Sequence, residues 1–243
     1  MAEAPTIPHD LEHEETSTGL NHRKLLMWAF LASDCMFFGS LIATYLVYQD
    51  GSKSGPFPED VFSIPTTSVS TFVLLMSSMS MVLAYSALTR GNIKGFRIWV
   101  LSTILLGMTF IAFQVFEFRT FANHEIHIDC ARVTDPKYLS ELTEYETTFV
   151  EQCGSTEFPQ HHGLTVRTNL FGSTFYVLTG FHGAHVTLGI VWLLSLFFFS
   201  FTGGVTARRN LDVDLAALYW HFVDVVWIVI FAIVYLIGVF PGF

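Results

Sequence analysis

Five stretches of this 243-residue chain are each more than twenty residues long and almost wholly apolar, at roughly 26–48, 67–88, 96–118, 174–201 and 216–239. A bilayer core about 30 Å thick is crossed by a helix of about 20 residues, whereas a barrel strand needs only about 9–11. Hydrocarbon offers no water to a backbone N–H or C=O, so runs of this length must satisfy those groups internally, as α-helices. The fold class that follows is an all-α integral membrane protein, a bundle of five transmembrane helices. Composition agrees: 51% of residues are hydrophobic and 25 are Phe, more large rings than a water-soluble interior of this size could house.

The polar segments fall around those spans. Residues 1–25 form an acidic, His-containing tail, with no basic start followed by a short apolar core and a small-residue cleavage site, so they read as a peripheral tail, not a signal peptide. Residues 26–243 read as one membrane domain, interrupted by a long polar insertion at 119–173. Lys and Arg concentrate on the cytoplasmic side of membrane proteins. With the amino terminus inside, that side holds Arg23, Lys24, Arg90, Lys94, Arg97, Arg208 and Arg209. The other side holds Lys53, Arg119, Arg132, Lys137 and Arg167, four of them in the long loop, where charge has less topological weight. The expected topology is a cytoplasmic amino terminus, a periplasmic insertion and a periplasmic carboxyl terminus. A net charge of −9 argues against nucleic acid as a partner.

An oxidising compartment favours pairing of Cys130 with Cys153 in that insertion. Closing such a loop contributes about 3 kcal/mol in the chain-entropy model. Cys35, within the first span, reads as a small apolar residue.

Ionisable side chains are costly in hydrocarbon and mark either interhelical ties or functional sites. Six fall within the spans: Asp34, Glu117, His182, His185, His221 and Asp224. At about 1.5 Å of rise per residue, Asp34, His185, His221 and Asp224 lie in an inner-to-middle group, and Asp34 and His185 match in depth. Glu117 and His182 form an outer pair. Each group mixes carboxyls with imidazoles, which lets a buried acid be satisfied without a bare charge. In "GFHGAH" (180–185), Gly180, Gly183 and Ala184 allow close helix approach. Imidazoles also suit metals or haem, and the outer loop adds His124, His127, His161 and His162. Buried acids can carry protons in a transporter, although repeated halves and broken helices are not evident here. From the residues alone, four readings stand: a register-fixing polar network, an anchor for lipid head groups or a partner subunit, a membrane metal- or haem-binding redox protein, and a small transporter.

Four motifs narrow the field. "FLASDCMFFGSLIATY" (30–45), "GMTFIAFQVFEF" (107–118), "TGFHGAHVTLG" (179–189) and "YWHFVDVVW" (219–227) occur in order and at suitable separations. Together they resemble subunit III of the haem–copper terminal oxidases over all five spans. Residues 50–78 are similar to the short five-helix bacterial form, notably that of quinol oxidases. The resemblance implies a non-catalytic subunit in the bacterial inner membrane, with no catalytic centre or cofactor of its own. It would pack against catalytic subunit I and other oxidase subunits, which hold the haem and copper. It also implies lipid bound in a V-shaped cleft, support of proton uptake, and protection of the catalytic centre during turnover. The six intramembrane residues would then form a polar network or line the lipid cleft. Two departures stand out: Asp34 occupies the place of a usual Glu, and the insertion has no counterpart. As an acidic outer lobe, the insertion could dock another respiratory complex. The choice between cytochrome c and quinol as electron donor belongs to the partner subunits.

Overall fold

The computed structural model describes residues 21–48, 64–123, 170–206 and 210–237. Five long helices account for nearly all of them: α1 (His22–Tyr48), α2 (Ile64–Thr89), α3 (Ile93–Ala122), α4 (Leu170–Phe199) and α5 (Leu211–Ile230). All five are long and apolar enough to cross a membrane. Most begin several residues before the apolar stretch that marks them, because polar residues at the aqueous rim extend a helix without entering hydrocarbon. The proposed Cys130–Cys153 bond and the insertion's loop histidines lie outside the described residues.

Helix ends carry the expected chemistry. The Asn21 side chain accepts from the Arg23 N–H at 2.9 Å, satisfying one free donor at the start of α1. Between α2 and α3, Gly91 adopts φ 76°, and the N–H groups of Asn92 and Gly91 return to the carbonyls of Ala87 and Leu88 at 2.9 Å. This is a Schellman closure, which favours glycine at the left-handed position. Asn92 then caps α3 by accepting from Gly95 N–H at 2.9 Å. A turn this tight makes α2 and α3 antiparallel neighbours.

Three contacts bring helix ends together on one side. Arg23 reaches Asp212 at 2.6 Å and Lys24 reaches Asp214 at 2.7 Å, joining the starts of α1 and α5. Both aspartates lie in the first turn of α5, where negative charge complements the helix dipole. Arg97, near the start of α3, donates to Ser200 O at 2.7 Å and stacks over Phe201 at 4.2 Å, just past the end of α4. The helices therefore alternate in direction, and α1, α3 and α5 run the same way.

α5 is the hub. It packs against α1, α2 and α4, while α2 packs closely on α3 and α1 rests on α4 and α5. Trp220, on α5, shows how tight the centre is. A Cβ placed on Gly107 of α3 would stand 2.8 Å from its ring, and one on Gly189 of α4 would stand 2.9 Å away. The indole lies in a slot between two glycines, and its N–H donates to Ser77 Oγ of α2 at 3.0 Å. One side chain thus ties four helices. Beyond Ile230 the helix widens into a π-helical run, Phe231–Ile237, which keeps Val234 and Tyr235 buried.

Candidate functional site

The intramembrane polar side chains resolve into four small ties between helices. At the rim of the bundle, Asp34 Oδ2 of α1 stands 3.3 Å from His185 Nε2 of α4. His185 Nδ1 is 2.8 Å from the Phe181 carbonyl, which can only accept, so Nδ1 carries a proton. The remaining contact then holds one further proton, on the imidazole or on the carboxyl, and the pair is neutral overall in either form. Tyr219 of α5 donates to the His185 carbonyl at 3.0 Å, and the Phe38 ring meets the imidazole edge-on at 5.1 Å.

Glu117 and His182 do not bond to each other; each has its own partners. Buried Glu117 of α3 accepts from Thr67 of α2 at 2.5 Å and from Tyr235 of the π-helical run. Fully buried His182 donates from Nε2 to the Val223 carbonyl of α5 at 3.2 Å. Its ring lies against Trp227 at 4.8 Å and Phe110 at 5.8 Å. The expected outer pair fails because depth alone does not fix which way a side chain points around its helix.

The expected inner group also divides. Asp34 and His185 meet between α1 and α4, whereas His221 and Asp224 turn toward α2. His221 Nδ1 is 2.6 Å from Ser78 Oγ of α2. Asp224 is buried, and neither of its oxygens completes a well-formed hydrogen bond among the described residues. Ser78 stands within reach of Asp224, but its short contact is to His221. Cys35 is exposed on α1.

Residue typing had passed over the α2 hydroxyls. Thr67, Thr71, Ser77 and Ser78 meet, in turn, Glu117, the Trp227 N–H at 3.0 Å, the Trp220 N–H at 3.0 Å, and His221. Their signal was the density of Ser and Thr in "TTSVSTFVLLMSSMS" (66–80), inside a span that needs none for hydropathy. Gln114 of α3 was also missed; it donates to the Thr179 carbonyl of α4 at 2.8 Å. It does so across Gly183, where a Cβ would lie 2.7 Å from its side-chain oxygen, while Gly180 faces open space. Among the described residues, no three His, Cys, Asp or Glu side chains cluster closely enough to hold a metal ion.

The fold and its ties define a multipass membrane protein in which polar side chains join one helix to the next. Comparison with known proteins places it more narrowly. Residues 141–239 match the family model described as cytochrome c oxidase subunit III. The chain is 32% identical to cytochrome c oxidase subunit 3 of Bacillus sp. (strain PS3), over 97% of this chain and 95% of the relative. It is also 32% identical to quinol oxidase subunit 3 of Bacillus spizizenii, over 94% and 92% of the two chains. The same identity holds to cytochrome bo(3) ubiquinol oxidase subunit 3 of Pseudomonas aeruginosa, over 98% and 95%. The chain belongs to the subunit III family of the haem–copper oxidases.

Proposed function

We propose that this chain is a non-catalytic subunit of a bacterial terminal oxidase that stabilises the catalytic subunit beside it, and that haem and copper reside in that partner. In this reading the amino terminus faces the cytoplasm, lipid covers part of the outer surface, and the subunit supports proton uptake and sustained turnover. The observation that carries the reading is the use of the intramembrane polar groups. Thr67–Glu117, Gln114–Thr179, His182–Val223, Asp34–His185 and Ser78–His221 each link two different helices. Such bonds hold a rigid surface in register, which is what a supporting subunit supplies to a neighbour. Phospholipid is the natural cover for the apolar side chains on the outside of α1 and α3 that no partner reaches. The acidic insertion would extend the outer surface and suit a respiratory partner with a basic patch.

Removal of the chain from the purified oxidase tests this. Haem spectra should be unchanged, while activity decays faster during continuous turnover. Loss of the haem signal together with this chain would refute the reading and favour a cofactor site within it.

A further inference from the structure

The hub helix is not covered all round. α1 packs on α4 and α5, and α2 packs on α3 and α5, so α5 keeps an outward strip between α1 and α2. Val225, Ile228 and Val229 lie along that strip at 57%, 42% and 41% exposure. Part-exposed His221 belongs to the same face, one turn before Val225. Three exposed aliphatics alone would suit lipid. His221 does not.

Its Nδ1 is engaged by Ser78 on the α2 side of the strip. If Ser78 donates, Nε2 carries a proton to give; if Nδ1 donates, Nε2 has a lone pair to fill. Either way Nε2 offers one hydrogen bond, and no partner for it exists among the described residues. The depth of this atom decides what can meet it. The aqueous rim is marked by the Lys24–Asp214 ion pair, and His221 follows Asp214 by seven residues on one helix. At 1.5 Å per residue, that is about 10 Å into the bilayer. Head groups stay at the rim and acyl chains cannot bond an imidazole, so lipid leaves Nε2 unsatisfied at the cost typical of polar groups in hydrocarbon.

We propose that the strip of α5 between α1 and α2 is the seat of a transmembrane helix from another oxidase subunit. That helix would be apolar except for one hydrogen-bonding side chain at the level of His221. The proposal rests on the subunit reading above and names where a partner sits. The groove suits a helix because its floor is aliphatic and its one polar atom lies on the α2 wall, which fixes the depth and rotation of the incoming partner.

The test uses the intact oxidase with Val225 replaced by photoreactive p-benzoylphenylalanine, or Ile228 where the first variant assembles poorly. Illumination should join this chain to another oxidase subunit. The crosslink should be lost in a His221→Leu background and kept in His221→Gln, whose amide can both give and accept a hydrogen bond. Adducts with lipid alone, or with a second copy of this chain, would overturn the proposal, as would a crosslink indifferent to His221→Leu. Because the haem-containing complex is isolated first, a chain that purifies with haem yet crosslinks only lipid refutes the seat and leaves the subunit reading intact.

Discussion

α1 and α5 run in the same direction and start within an ion pair of each other, and both carry an acid inside the membrane, yet they are built for different work. α1 buries only Met27, Leu31, Phe38 and Tyr45, a narrow row spaced by four and then seven residues. α5 buries eleven side chains, among them Trp220, Asp224 and Trp227, and sends bonds to α2 and α4. The acid of α1 shares a proton with a part-exposed histidine at the bundle's rim, whereas the acid of α5 is enclosed. In water, so one-sided a helix as α1 would show a polar face. In lipid the outer face is apolar as well, so hydropathy cannot separate a rim helix from a hub. What separates them is the density of groups that need a specific partner: indole N–H, hydroxyl, imidazole, and glycine at a close approach.

Four substitutions, in falling order of effect, probe that contrast. Trp227→Ala should be the most severe, because it empties a site packed on His182 and Phe110 and strips Thr71 of its donor. Loss of a buried aromatic of this size costs about 3–5 kcal/mol. The chain should drop out of the purified oxidase on mild heating, and normal retention would show that α5 is not the hub. Next, Gly189→Val drives a side chain into the Trp220 ring, an overpacking that costs about 1–3 kcal/mol. Gly180→Ala, with nothing within 4 Å of the new atom, serves as its control. Equal thermal midpoints for the two variants would mean the Trp220 slot is not tight.

Thr67→Val should lower stability by about 1 kcal/mol, since Glu117 loses one donor and keeps Tyr235. A carboxyl infrared band that does not shift in this variant would remove Thr67 from the tie. Arg23→Ala should matter least. Its ion pair with Asp212 is 62% and 46% exposed, and pairs of this kind contribute about 0.5 kcal/mol or less. Added salt should abolish the difference from the parent chain; a salt-resistant loss would show that the pair is shielded in the complex.

Much of this architecture could be read from the residues. Five apolar runs gave five spans, because hydrocarbon leaves the backbone no other choice. Matching depths placed Asp34 level with His185, and those two side chains do meet. The same reasoning put Glu117 with His182 and failed, since rise along a helix gives height but not rotation. The α2 hydroxyls escaped notice for a related reason: Ser and Thr can bond their own helix's carbonyls, as Ser70 and Thr71 do to Thr67. Only the neighbouring helix reveals which of them also serves a Trp or a Glu. The Trp220 slot was hidden too, because Gly107 and Gly189 sit eighty-two residues apart and converge only on folding.

The most direct test sets one loss on the hub against one on the rim. Trp220→Ala and Phe38→Ala each remove a fully or nearly fully buried ring, at 1% and 2% exposure, one from α5 and one from α1. The thermal midpoint at which each variant chain leaves the purified oxidase should fall far more for Trp220→Ala, because four helices lose a shared contact. Phe38→Ala should loosen α1 alone and leave the bonds between α2 and α5 in place. A midpoint lowered as much by Phe38→Ala as by Trp220→Ala would contradict the division into hub and rim.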